Sequence, residues 1–140
     1  MLEPLVGLRT WLMLPVVLGA TLLTSPSTPA AEKHTTDPLP TVLKAINDRK
    51  AVLVDVREKT EWDDGRLAQA KHLPLSQLQK GIPTDELSRT LPKGTPIYLH
   101  CASGRRCLKA ASLLRKAGYD VRPLQPGFDD LVTAGFTPAK

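Results

Sequence analysis

The sequence predicts an α/β fold with a mainly parallel central sheet flanked by helices on both faces. Two observations support this prediction. Short runs rich in β-branched residues alternate along the chain with segments whose apolar residues recur at helical spacing. The run over residues 51–56 is almost continuously apolar, as in a parallel strand that is covered on both faces. With 140 residues, the chain has the length of a single domain.

The first 31 residues are predicted to form a secretory signal peptide. A short head with one arginine precedes an apolar run over residues 11–23, and a Ser/Thr/Pro/Ala stretch with a small-x-small cleavage site at 28–30 follows. The alternative is an uncleaved membrane anchor, but a spanning helix needs about 20 apolar residues, and Pro15 interrupts this run. We therefore expect a periplasmic or secreted protein with no stable membrane association after cleavage. The sequence pattern allows the signal peptide to be removed at either Ala30 or Ala31.

The rest of the chain is predicted to consist of a tether and one domain. Residues 32–40 are polar and proline-containing, which is typical of a tether, and the domain is predicted over 41–138. Residues 41–47 have apolar side chains at helical spacing. Residues 60–64 are expected to form a short helix that Gly65 closes.

The same alternation continues toward the middle of the chain. Residues 71–75 are predicted to be a strand that Pro74 ends, and residues 84–91 a helix with Thr84 as its N-cap. The apolar run over 96–100 predicts a second buried strand.

The clearest helix begins at Arg105 and ends at Gly118, because its apolar residues keep a helical period throughout. Its predicted apolar stripe consists of Leu108, Ala111, Leu114 and Ala117. Residues 119–124 are predicted to be the last strand. A closing helix over 128–134 follows the turn at 126–127.

The charge and composition limit the classes of partner. The formal net charge is +5, but no basic stripe with interleaved aromatic residues is present, so no nucleic-acid partner is predicted. The positive surplus fits small anionic substrates. His34 and His72 are isolated and no metal-ligand spacing occurs, so neither a metal nor a cofactor is predicted.

Residues 96–107 carry the strongest functional signal. They read as a strand, Cys101 at its end, a glycine-containing loop and the basic first turn of a helix. The unpaired N–H groups and positive dipole end of a helix stabilise a thiolate, and such placement lowers a cysteine pKa from about 8.5 to roughly 3.5–7.5. Arg105 and Arg106 add positive charge, and Gly104 would permit a positive φ in the loop. The sequence therefore predicts a sulfur nucleophile that faces an anion.

Three further polar residues are interpreted together with this segment. Asp55 and Arg57 follow a buried strand and are interpreted as structural support, through an ion pair or hydrogen bonds beneath the loop, with substrate orientation as the alternative. His100 precedes Cys101 on a strand, so its side chain is expected on the opposite face and without a catalytic role.

Several segments match a known family in order and spacing. They are Val-Leu-Val-Asp-Val-Arg-Glu at 52–58, Glu-Trp-Asp-Asp-Gly at 61–65, Leu-Pro at 73–74, the cysteine loop at 101–106, Ala-Gly-Tyr at 117–119 and Pro-Gly-Phe at 126–128. Together they resemble the rhodanese (thiosulfate sulfurtransferase) domain. With its leader and one domain, the chain is most similar to the small periplasmic single-domain rhodaneses.

The resemblance implies a sulfur relay through an enzyme persulfide. Cys101 would attack the outer sulfur of a small anionic donor such as thiosulfate, and a thiophilic acceptor such as cyanide would then take that sulfur. A protein thiol is a further candidate acceptor. The resemblance places the substrate cradle at the backbone N–H groups of Ala102, Ser103, Gly104, Arg105 and Arg106. Arginine side chains could also grip the oxygens of the donor with charge-assisted hydrogen bonds.

Three alternatives are weighed against a sulfurtransferase. Phosphatases of related fold carry a longer His-Cys-x5-Arg loop, and Cys107 occupies the position of that arginine, which disfavours them. A thiol–disulfide redox protein would use Cys101 and Cys107 together, and a sulfur carrier would deliver sulfur to a partner with little turnover. A structural disulfide is disfavoured because it would close a very small ring. Cys107 is thus either a small packing residue or a resolving thiol.

Overall fold

The computed structural model describes residues 30–140, so the predicted signal peptide lies almost entirely outside the described residues. Among residues 30–140, none of the helices has the length and apolar character that a transmembrane span requires.

Helices and strands alternate along the described chain. The helices are α1 (Leu39–Asn47), α2 (Lys59–Asp64), α3 (Leu75–Lys80), α4 (Thr84–Thr90), α5 (Arg105–Lys116) and α6 (Phe128–Thr133). The strands are β1 (Val52–Asp55), β2 (Arg66–Leu67), β3 (Ala70–His72), β4 (Ile97–His100), β5 (Val121–Pro123) and β6 (Pro138–Ala139).

The central sheet has four strands in the order β3-β1-β4-β5, and all three pairings are parallel. The predicted parallel sheet is therefore confirmed. A second sheet pairs β2 with β6 in antiparallel fashion. These two strands are absent from the sequence prediction because a two-residue strand is too short to show an alternation.

Helices cover both faces of the central sheet, as the sequence predicts. Val54 and Leu99 belong to a core that also holds apolar residues of α3, α4 and α5. Leu53 and Tyr98 point into a second core, which α1 and α6 complete. Successive strand residues point to opposite faces, so the nearly continuous apolar character of β1 serves both cores.

The segment predicted as a tether is attached to the domain in the structure. The N–H of Thr35 donates to the carbonyl of Pro123 at 2.8 Å, and the Asp37 carboxylate accepts from the Tyr98 hydroxyl at 2.7 Å. Helix α1 already begins at Leu39. Polar composition alone suggested a tether, whereas these hydrogen bonds join the segment to β4 and β5.

The middle of the chain differs from the prediction in detail. The strand predicted over 71–75 ends at His72, and an additional helix, α3, follows Pro74. Thr84 is the first residue of α4 and not its N-cap, because Pro83 occupies that position. No side chain caps this helix, and proline is tolerated at its start because the N–H that proline lacks would have no helical partner in any case.

The buried face of α5 is rotated from the predicted stripe. Leu114 and Ala111 are buried as expected, but Ala117 is exposed and Leu108 only half-buried. Cys107 and Ala110 complete the buried face instead. These small side chains let the helix lie close to the sheet, a tertiary preference that hydropathy does not reveal.

Candidate active site

Cys101 lies at the carboxyl end of β4, a central strand of the sheet. Its side chain is fully buried. The register pairs Asp55 with His100, so the ends of β1 and β4 are level and the residues that follow them meet at one edge. This is the edge at which open α/β sheets bind ligands.

The loop after Cys101 turns its backbone N–H groups toward the sulfur. Gly104 adopts φ +81°, in the left-handed region that favours glycine, and its N–H donates to Cys101 Sγ at 3.1 Å. The backbone N–H groups of Ser103, Arg106 and Cys107 also help to lower the pKa of this thiol. Such a ring of amides at the start of a helix is an anion-binding nest.

This environment stabilises Cys101 as a thiolate. The pKa of Cys101 is lowered to about 5, chiefly by a hydrogen bond from the Cys107 thiol; burial opposes this effect, and the backbone N–H groups add to it. The Cys107 pKa is raised, because its proton is held in that hydrogen bond and because the side chain is buried. At neutral pH the pair is therefore one thiolate and one thiol.

The structure gives Cys107 a role that neither sequence interpretation contained. It is completely buried on α5, yet it does more than fill space, because its thiol is the largest cause of the lowered Cys101 pKa. A resolving thiol must itself become a thiolate to attack. In the resting pair, the interaction with Cys101 and burial raise the pKa of Cys107 and so oppose this.

The side chain of Arg106 is already engaged by a carboxylate. Its guanidinium donates two hydrogen bonds to Glu61, at 2.6 and 2.7 Å, and this interaction lowers the pKa of Glu61 to about 2. This differs from the predicted grip on substrate oxygens, because α2 presents Glu61 directly to the first turn of α5. The backbone N–H of Arg106 keeps its place in the nest, whereas the Arg105 side chain is exposed at the rim.

Asp55 and Arg57 form a buried ion pair, with 2.7 Å between the guanidinium and the carboxylate. Arg57 also donates to the carbonyl of Gly65 at 2.7 Å and lies over the Phe128 ring, 4.5 Å from its centroid. Through these contacts it joins β1, α2 and α6 beside the site. Both side chains are thus engaged by each other and by the segments beside the site.

His100 is buried and neutral. Burial lowers its pKa to about 4, even though the Asp55 carboxylate lies 3.6 Å from Nε2. Neither ring nitrogen has a hydrogen-bond partner among the described residues. An imidazole in this state belongs to the core and not to the open side of the nest.

Two cavities reach the site and share Ala102. One, of about 300 Å³, lies between α2 and α6 and is lined by Glu61 and Phe128 among others. The second, of about 570 Å³, lies beside Ser103 and the turn at 125–127. Both are large enough for a small anion or thiol. Within residues 30–140 no group of three or more His, Cys, Asp or Glu side chains could hold a metal ion.

Sequence reasoning did not identify several residues that shape the site. Glu61 was visible only as part of a family motif, and its partner Arg106 lies far along the chain. Gly127 permits a close backbone approach, because a Cβ there would lie 2.0 Å from the Ala102 carbonyl oxygen. His34 contacts the loop at Gly104. These are long-range contacts, which no local pattern reveals.

Comparisons with known proteins point to one family. The family model of the rhodanese-like domain matches residues 39–134. The uncharacterized protein YqhL of Bacillus subtilis is 39% identical over 84 residues, which cover 57% of this chain and 60% of that protein. A mitochondrial protein of Schizosaccharomyces pombe, whose name proposes a thiosulfate sulfurtransferase, is 32% identical over 83 residues, covering 54% of this chain and 58% of that protein. The chain thus matches less than two thirds of the length of these two relatives.

A solved structure agrees in fold. The human single-domain sulfurtransferase TSTD1 superimposes with a TM-score of 0.60 at 22% identity, covering 68% of this chain and 92% of that one. The family match extends over most of the described residues and includes the nest around Cys101. This chain belongs to the rhodanese-like domain family.

Proposed function

We propose that this protein is a thiosulfate sulfurtransferase that moves a sulfane sulfur to cyanide or to a thiol through a persulfide on Cys101. Membership of the family and the sulfurtransferase-named relative support sulfur transfer in general. The finer proposal rests on one observation: Cys101 is a buried thiolate whose sulfur is surrounded by backbone N–H donors.

The proposed reaction has two half-reactions. The Cys101 thiolate attacks the outer sulfur of thiosulfate; a new S–S bond forms, the bond to the inner sulfur breaks, and sulfite leaves with the electron pair. The acceptor then attacks the outer sulfur of the persulfide. Cyanide leaves as thiocyanate and the Cys101 thiolate is regenerated, with no net oxidation of the enzyme. The nest stabilises the anionic sulfur in both the resting and the persulfide state.

Steady-state kinetics test this proposal. A shared covalent intermediate requires ping-pong behaviour, so reciprocal plots at several cyanide concentrations should be parallel. Cys101→Ser should abolish thiocyanate formation. Intersecting plots, or activity that survives in Cys101→Ser, would exclude the mechanism.

A Cys107→Ser variant separates this proposal from a redox protein. Serine keeps a hydrogen-bond donor next to Cys101, so a sulfurtransferase should retain thiocyanate formation. A thiol–disulfide oxidoreductase that depends on both cysteines would lose its reductase activity. A sulfur carrier would instead show a stable persulfide that transfers slowly to cyanide and rapidly to a protein thiol.

We also propose that the protein works outside the cytoplasm, on the basis of the signal-peptide pattern in residues 1–31. Cell fractionation should then find a shortened chain in the periplasm or medium. A full-length chain in the cytoplasm would contradict this proposal.

A further inference from the structure

The segment just before α1 touches the active-site loop. His34 is half-buried, and its Nε2 lies 3.0 Å from the carbonyl oxygen of Gly104. The family match begins at residue 39, so His34 precedes the matched region. The contact therefore adds to the loop a residue from outside the matched domain.

Residues 34–37, here called the N-terminal strap, are held in place independently of the loop. The backbone of Thr35 bonds to Pro123 at 2.8 Å. Asp37 accepts hydrogen bonds from Tyr98 at 2.7 Å and from Arg122 at 3.2 Å. These bonds anchor the strap to β4 and β5, so His34 meets the loop from a fixed position.

Gly104 is enclosed where His34 reaches it. A Cβ added to Gly104 would lie 2.9 Å from His34 Nε2 and 2.8 Å from the carbonyl oxygen of Gln125. The same residue donates its N–H to Cys101 Sγ at 3.1 Å. Gly104 is thus fixed on one side by the strap and on the other by the nucleophile.

We propose that His34 is a positioning residue for the sulfur cradle, which it orients by donating a hydrogen bond from Nε2 to the Gly104 carbonyl. This inference rests on the proposed function, because it concerns the groups that would hold the persulfide. The described residues contain no cis peptide bond, so the N–H of Arg105 points to the opposite side of the peptide from the carbonyl that His34 contacts.

The orientation of that peptide matters because of its place in α5. Arg105 is the first residue of the helix, and its N–H is one of the donors that have no intrahelical partner. Holding the carbonyl fixes the direction of this donor, and it also fixes Gly104, whose own N–H donates to Cys101 Sγ at 3.1 Å. A hydrogen bond to the carbonyl also polarises the peptide and strengthens the N–H as a donor.

Alkylation of Cys101 by iodoacetamide over a range of pH tests the proposal without requiring sulfur transfer. His34→Ala removes the donor, His34→Gln keeps an N–H donor, and Lys33→Ala alters an exposed neighbour as the control. The inflection pH is the pH at which the alkylation rate of Cys101 is half-maximal. We expect it to rise by about half a unit or more in His34→Ala, in line with the loss of about one hydrogen bond. His34→Gln and Lys33→Ala should stay near the wild-type value. Thiosulfate-dependent turnover should fall about three- to tenfold in His34→Ala and recover in His34→Gln.

The outcomes separate this inference from the proposed function. If His34→Ala keeps the wild-type inflection, or if His34→Gln is shifted as much as His34→Ala, the positioning role is wrong, whatever happens to thermal stability. If the wild-type protein forms no persulfide with thiosulfate but the inflection shifts as expected, His34 still orients the loop and the proposed donor is wrong.

Discussion

At the scale of single residues, the chemistry depends on how Cys101 and Cys107 share one proton. The two side chains lie in the same core, and a hydrogen bond between them is the largest cause of the lowered Cys101 pKa. Removal of the Cys107 thiol therefore acts on the nucleophile without touching the loop sequence.

Two substitutions of Cys107 should have different effects on Cys101. Cys107→Ala removes the donor, so the pKa of Cys101 should rise from about 5 toward its ordinary value. Cys107→Ser keeps a donor and should shift the pKa less. The absorbance of the thiolate near 240 nm, followed over pH, measures both variants. Equal pKa values in wild type and Cys107→Ala would contradict the proton-sharing account.

His100 should make the free energy of unfolding depend on pH. Its pKa is about 4 in the folded chain and about 6.5 in the unfolded chain. The unfolded state therefore binds the proton first, and stability should fall as pH drops from about 6.5 to about 4, by up to about 3 kcal/mol.

A His100→Leu variant isolates this effect in urea titrations. Cys101, with a lowered pKa of its own, contributes a slope of the same sign above pH 5 in both proteins, so the difference between them reports His100. The variant should lose less stability than wild type between pH 6.5 and 4.5. Identical slopes would show that His100 is not the buried neutral group described above.

At the scale of elements, the anion-binding nest around Cys101 depends on a close approach between the loop after β4 and the turn before α6. The turn before α6 presses against the loop, where a Cβ on Gly127 would lie 2.0 Å from the Ala102 carbonyl oxygen. This distance is far below any van der Waals contact, and backbone atoms on both sides cannot move aside cheaply.

Gly127→Ala should therefore disrupt the loop. We expect the free energy of unfolding to fall by about 1–3 kcal/mol. We also expect the alkylation rate of Cys101 by iodoacetamide to fall more in Gly127→Ala than in a control glycine variant. Gly65→Ala is a matched control, because a Cβ there meets only the Phe128 ring at 3.8 Å. Equal effects of the two substitutions would contradict the close approach.

The same elements show what local sequence reveals. The strands at 52–55 and 97–100 were predictable because apolar runs of this kind have few alternatives. Helix α3 was not, since its six residues are too few to establish a period. The buried face of α5 differs from the predicted stripe because small residues of the helix pack against the core. This packing depends on the neighbouring sheet and cannot be predicted from hydropathy.

At the scale of the whole molecule, the family motifs were sufficient to predict the rhodanese-like domain, whose family model matches residues 39–134. What they could not supply were the contacts between distant segments. Glu61 neutralises Arg106 across 45 residues of sequence, and His34 reaches Gly104 across 70. Such pairs arise only after the parallel sheet brings the ends of its strands together.

These distant contacts also revise how an anionic donor would be bound. The sequence suggested the side chains of Arg105 and Arg106 around the substrate, whereas Arg106 is paired with Glu61 and only Arg105 remains exposed at the rim. Binding of a donor would then depend mainly on backbone N–H groups at the start of α5, which is why the orientation of that loop is central.

The most direct test of the account is the intact mass of the reduced protein after mixing with thiosulfate, followed by peptide mapping. We expect a gain of one sulfur atom, located on Cys101, and its removal on addition of cyanide. Loss of two hydrogens with Cys101 linked to Cys107, and no added sulfur even in Cys107→Ser, would contradict the sulfurtransferase mechanism and favour a redox protein.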